Sequence, residues 1–442
     1  MFYLLTYAVL MCGIAIGSIR KNKSIIYSLM WSAYAVSAIF CVICKVFQED
    51  LYLTGISQSK WYDLSDTTMW GYLLIILCCL IAFRPFKKFD KNKALEILGN
   101  SRGSRQFYTI FSWAYIVCAL IFVSLSINTV LALFSTSDYG LLRSTLYGNG
   151  ENESNFVMTT NFLGDFCYKL CLQFKLLSVF VSFTMIKEKY KTKLASILLF
   201  VTFCVYYLYV TGNAARGGLL IFCFCSMLIG TCFWKYIHKS SKVKICIAAV
   251  VLLGFVFSFF MMVTVSRFGN DGGSGNPILR NIFFYLGHGP IEFSKITGSL
   301  REFAYGKTII GRLLNHYFGT PYSWEAIQFE IGYPSLGPVF VTYLGYLYTD
   351  FGSIGCLVFV TFWSQFMCRL IRVSPRRIST IFLFLYYMNY FVTGIFAVGR
   401  LEYAAFITAH VIFLCIRFVE DLLKVRYRGV YYSPYNFRQG GN

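Results

Sequence analysis

The chain has 442 residues, of which 57% are hydrophobic, 19% aromatic and only 14% charged. A soluble protein of this size carries about 25% charged residues, and a mean hydropathy of +0.60 fits apolar runs long enough to cross a bilayer. These figures exclude a secreted enzyme, a disordered chain and a soluble nucleic-acid binder, and leave a polytopic membrane protein; the net charge of +20 needs no nucleic-acid partner, because the basic residues cluster in short loops between apolar runs.

Apolar segments fall at about 2–19, 25–46, 67–83, 107–134, 166–186, 194–211, 217–234, 245–265, 352–371, 380–397 and 402–419. They predict an all-α chain with about eleven membrane-spanning helices. The first segment lacks a short apolar core followed by a cleavage site, and reads as a retained span. Cys41 and Cys44 stand in a CxxC spacing inside the second segment, where small packing residues are expected in place of a redox or metal pair. The 16 cysteines lie in or beside apolar segments, and the 266–335 stretch has none, so no disulfide framework is expected.

Loop charge predicts the topology. The connections at 20–24, 84–106, 187–193, 235–244 and 369–379, with the tail from Arg417, carry 27 Lys or Arg; the opposite set carries 10. This alternation with every span predicts an outer N-terminus and a cytoplasmic C-terminus. Four regions follow: spans one to eight over 1–265, an external loop over 266–351, spans nine to eleven over 352–419, and a basic tail over 420–442. The external loop is far longer than a connector. It contains NIFFYLGHGPIEF and WEAIQFEIGYP, which read as short amphipathic helices that lie on the membrane or cover an outward cavity.

Arginines recur on the outer side, where the charge rule disfavours them. Arg216 stands in GNAARGG, at the turn into span seven, where flanking glycines allow close approach and a helix N-terminus favours an anion. Its guanidinium adds a fork suited to phosphate; the alternative is an interfacial arginine snorkelling to headgroups. Arg267 leaves span eight, Arg280, Arg301 and Arg312 follow in the loop, and Arg400 occupies the last outer turn. Together they suggest an anionic ligand such as a lipid phosphate. Asp350, where an apolar stretch enters span nine, is either functional or the partner of a nearby base. Lys175, near the middle of span five, is expected to line a polar cavity or pair with an acid. Lys45 and Lys169 are expected to snorkel. No DxD pair, HExxH, Cys/His metal spacing or nucleotide-binding glycine loop occurs, so the substrate itself must be activated, as a lipid diphosphate is.

Three features resemble the Wzy-type polymerases of oligosaccharide repeat units, which build O-antigen and capsule chains. They are Ala215-Arg216-Gly217-Gly218 at an outward helix start, the long external loop after span eight, and the aromatic stretch ending in Asp350-Phe351-Gly352 with Gly355 following. The likeness covers roughly 190–400. It implies a GT-C-like glycosyltransferase of a bacterial inner membrane, with undecaprenyl-diphosphate-linked oligosaccharide as donor and acceptor, membrane lipids around it and a chain-length regulator as a further partner. No metal or other cofactor and no nucleic acid is implied. Arg216 carries over as a diphosphate ligand; Arg267, Arg280 and Arg400 are added from topology. Tyr285, Tyr305, Tyr317, Tyr322, Trp324 and Tyr333 either stack on sugar faces or anchor the loop at the interface.

The acceptor hydroxyl needs a base. His288 in YLGHGPIEF is expected just before a helix whose first turn holds Pro290 and Glu292. An ordinary histidine titrates near ~6.5 and is largely neutral at physiological pH, and nearby arginines would keep it so. Glu292 and Asp350 are the competing bases, and a purely structural His288 is the alternative. Rival functions are an O-antigen ligase or other lipid-donor glycosyltransferase, a lipid-linked oligosaccharide flippase or other transporter, and a scaffold of an export complex.

Overall fold

The computed structural model describes residues 1–21, 24–46, 67–89, 102–128, 161–212, 216–268, 277–311, 314, 324–332, 342–375, 377–395 and 400–422, with only the backbone described at several helix ends. The described residues form helices and no strand: α1 (Phe2–Arg20), α2 (Ile25–Val46), α3 (Met69–Ala82), α4 (Arg84–Lys88), α5 (Arg102–Leu125), α6 (Phe162–Lys187), α7 (Thr192–Gly212), α8 (Arg216–Phe233), α9 (Lys239–Phe268), α10 (Pro277–Ser299), α11 (Trp324–Glu330), α12 (Gly345–Val373), α13 (Ile378–Thr393) and α14 (Arg400–Leu422). Among the described residues, eight helical segments are long and apolar enough to cross a membrane: Phe2–Arg20, Ile25–Val46, Met69–Lys88, Arg105–Leu125, Phe162–Lys187, Thr192–Val210, Gly218–Tyr236 and Gly345–Val373. That is the architecture of a multi-pass membrane protein. The other three expected spans fall on α9, α14 and α13, the last apolar but only 16 residues long.

Helices joined by short connections pack as neighbours: α1 on α2, α6 on α7, and α13 on α14. Aromatic side chains fill the seam between α2, α3, α12 and α13. Phe83 meets Trp31 and Tyr34 edge-on, with ring centres 5.0 and 5.2 Å apart, and Trp363 packs on Tyr387 at 4.5 Å. Such pairs add to area burial because ring edges and faces carry opposite partial charge.

In lipid a helix cannot leave a backbone carbonyl unpaired, yet this chain places prolines within and between its helices. Pro85 has no N–H for the carbonyl four residues back, and the Ser364 hydroxyl donates to that carbonyl, Ile81, at 2.7 Å. Pro290 frees Leu286 in the same way, and the Ser37 hydroxyl donates to it at 2.6 Å. Both serines come from a different helix, so each proline break is also a helix–helix contact. Helix ends are treated alike: Tyr34 donates to the Phe391 carbonyl at 2.8 Å and Tyr387 to that of Ala82 at 2.6 Å.

One sequence expectation is corrected here. Residues 281–293 are not a short helix starting at Pro290; they belong to the 23-residue α10, with Pro290 inside it. The helix of span nine, α12, runs from Gly345 but is broken at Gly352, where φ is +65°, so the expected start at 352 falls on that break. Only glycine takes that conformation cheaply, and a Cβ there would meet the Phe303 ring at 2.8 Å.

Candidate functional site

Pro277 suits a helix's first position, and from it α10 runs inward to lie between α2 and α3. Small residues make that possible. A Cβ on Gly287 would sit 2.6 Å from the Phe40 carbonyl oxygen, and one on Gly71 2.6 Å from the Ser294 Cα. Cys41 donates its Sγ–H to the Gly287 carbonyl at 2.8 Å, which gives that half of the CxxC pair a packing and hydrogen-bonding job. Ser294 donates to the Thr68 carbonyl at 2.8 Å and accepts the Thr68 N–H at 2.9 Å. Thr68 in turn caps α3 by accepting the Gly71 N–H. These contacts fix the rotation of α10.

That rotation places His288, Glu292 and Lys295 on one strip of α10, within about 60° of arc at 100° per residue and about 120° around the helix from the Gly287–Ser294 face. All three are buried, at 3, 5 and 6% exposure. His288 Nε2 lies 3.6 Å from Glu292 Oε2, one turn on. Burial, helped by the Lys295 charge, pushes the His288 imidazole down to about 3. The ring is therefore neutral at physiological pH. Its ordinary value near 6.5 is thus lowered by burial first and, among the described residues, by a lysine. Ionisable side chains buried among spanning helices are expensive, and by default they mark a functional site.

Asp350 stands apart from this strip. Fully buried, its Oδ1 accepts the Thr308 N–H at 3.0 Å and its Oδ2 the Ile309 N–H at 3.1 Å. Both oxygens are engaged in fastening the 304–311 turn to the head of α12, where Ala304 and Tyr305 also donate their N–H groups to Thr349 and Asp350 carbonyls. That is a fastening role rather than one facing a substrate.

Arg216 and Arg400 are the first residues of α8 and α14, Arg267 lies in the last turn of α9 and Arg280 in the first turn of α10; their side chains lie outside the described residues. So do the side chains of Tyr285 and Trp324, and Arg312, Tyr317, Tyr322 and Tyr333 altogether. Tyr305 is described and is 76% exposed, away from the buried strip. Lys175 lies with Nζ 4.2 Å above the Tyr206 ring, and Tyr206 donates to the Gly218 carbonyl in the first turn of α8, so this lysine pairs with an aromatic face. Lys169 bridges Asp165 at 2.7 Å on an exposed helix end. Among the described residues no three His, Cys, Asp or Glu side chains converge to hold a metal ion.

Lys295 was missed in the sequence reading. Its signal was present: 288, 292 and 295 have the four-three spacing of one helix face, and Tyr285 and Asn281 continue it in the sequence. Starting a helix at Pro290 conceals that face. No family model matches this chain, and neither does any curated protein or solved structure.

Proposed function

We propose that this protein is a GT-C-like polymerase of lipid-linked oligosaccharide repeat units in a bacterial inner membrane, with eleven spans, an outer N-terminus and a cytoplasmic C-terminus. The observation that carries the reading is the buried His288–Glu292–Lys295 strip, on a helix wedged between α2 and α3. A hydroxyl acceptor needs a base in a water-poor site, and the outer mouth supplies Arg216, Arg267, Arg280 and Arg400 for the diphosphate.

In the reaction, His288 or Glu292 takes the proton of the acceptor sugar hydroxyl. That oxygen forms the new glycosidic bond at the donor's anomeric carbon. The bond from that carbon to the diphosphate oxygen breaks, and its electron pair leaves with undecaprenyl diphosphate, whose growing charge the arginines stabilise. An imidazole held near 3 is a weak base. A bound diphosphate raises it, because a neighbouring anion favours the imidazolium. The base is then strong only when the donor is in place.

Burial of the strip also favours a second reading, a transporter of the same lipid-linked glycan, since pumps and transporters carry intramembrane titratable side chains. Deletion of the gene followed by electrophoresis of surface polysaccharide separates them. A polymerase deletion keeps single-repeat glycan on the surface; complete loss of surface glycan supports the transporter, and unchanged long chains refute both.

A further inference from the structure

The segments 303–311, with Leu314, and 324–332 present large apolar side chains outward although the turns that carry them are firmly held. Tyr305 is 76% exposed, Phe329 86%, Ile310 45% and Leu314 41%. Ile327 and Ile331, on the other side of α11, are buried. The two segments are joined to each other by the Lys307–Glu330 ion pair, half exposed, and α11 is tied to the end of α10 by the Arg301 N–H on the Ile331 carbonyl. Asp350 fastens the first segment to α12. Tyr305 holds φ at +49°, a left-handed conformation that a side chain resists, and a strained residue kept in a fixed place points to a use.

The exposed side chains continue an existing apolar surface. Along α12, Phe351, Ile354, Val358 and Phe362 are exposed at helical spacing on a span long enough to cross the membrane. Gly306 brings the first segment against Phe351, whose ring would lie 3.6 Å from a Cβ there. The membrane's edge is marked at the same level. Trp70, half exposed at the start of α3, donates its indole N–H to Ser353 at 2.7 Å, and tryptophan concentrates at the headgroup layer. An ion pair such as Lys307–Glu330 suits that layer, and bare aromatic rings suit the acyl boundary beneath it.

We infer that residues 303–311, with Leu314, and 324–332 form a rigid platform seated in one leaflet of the membrane, with Tyr305, Ile310, Leu314 and Phe329 in contact with lipid acyl chains. The platform fixes the depth at which α10 and its buried strip sit. This inference does not depend on the polymerase reading, because lipid contact is measured without any activity.

The test places p-benzoylphenylalanine singly at 305, 329, 362 and 189 in the full chain, reconstituted in discs of phosphatidylethanolamine and phosphatidylglycerol. Irradiation inserts the ketone into nearby C–H bonds, and mass spectrometry reads the adduct. Lipid adducts are expected at 305 and 329 as at the span position 362, and none at 189, in the exposed turn between α6 and α7. Adducts at 362 with none at 305 or 329 overturn the platform, and labelling at only one of the two overturns it as a unit. Crosslinks from 329 to a second copy of the chain, in place of lipid, reassign the surface to self-association.

Discussion

Ser37 shows how a single hydroxyl can depend on a residue 249 positions away. Its acceptor, the Leu286 carbonyl, is available only because Pro290 brings no N–H to it. Ser37→Ala alone leaves that carbonyl buried without its donor, a loss of about 1–3 kcal/mol. In a Pro290→Ala background the new amide takes over the carbonyl and the same change costs much less. A thermal-unfolding double-mutant cycle in detergent measures the difference; equal costs in both backgrounds refute the exchange. His288 gives a pH dependence with a definite sign. Its folded value near 3 lies below the ordinary 6.5, so between those pH values the unfolded chain binds more protons. Stability is then complete above pH 6.5 and falls as the solution is acidified toward 3, by up to about 1.4 kcal/mol per pH unit. Unfolding of wild type and His288→Gln across pH 4 to 7 reads this, the variant showing the shallower slope.

At the scale of elements, α10 is held by absence of side chains as much as by their presence. Gly287→Ala or Gly71→Ala pushes a methyl group into the Phe40 carbonyl or the Ser294 backbone, and overpacking of this kind costs about 1–3 kcal/mol. Each variant is expected to unfold earlier in detergent, and neither is expected to change helix content; a wild-type transition in both shows that α10 does not wedge as described. Glycine and proline in YLGHGPIEF were also what concealed the element. By local rules they stop a helix. The compensation sits on α2, at Ser37, Cys41 and the Phe40 backbone, where sequence spacing does not reach. The positions of the eight long apolar helices were legible because hydropathy is a local sum. The identity of His288 and Glu292 as neighbours was legible for the same reason, whereas Lys295 and the fastening of Asp350 to 308–309 needed the continuous helix and the turn against α12.

For the whole molecule, the alternation of loop charge makes a prediction that helix geometry leaves open. Green fluorescent protein fused after residue 422 is expected to fluoresce, and alkaline phosphatase inserted within 47–66 to be active, because only the first folds in the cytoplasm and only the second requires the opposite compartment. Reversed signals invert the arrangement, and both signals positive at one site undo the assignment of loops. The inner contacts bear on charge as well. Glu420 accepts the Ile378 N–H at 2.7 Å and the Ser379 hydroxyl at 2.6 Å, so one of the few acids on the predicted cytoplasmic side is committed to capping α13 from α14.

The hydroxyl of Tyr34 gives the assembly a timetable. Its acceptor, the Phe391 carbonyl, lies 357 residues further along the chain. At about 5–20 residues per second, synthesis reaches it roughly 20–70 seconds after Tyr34. Until then the first three helices stand in the bilayer with Tyr34 lacking the acceptor it holds in the finished protein, and Ser37 waits a shorter time, for Leu286, 249 residues on. Insertion and packing are therefore separate events here, and early helices wait for late ones. A ribosome-bound fragment ending before α10 has its first spans in place but no partner yet for the face of α2 that carries Ser37 and Cys41.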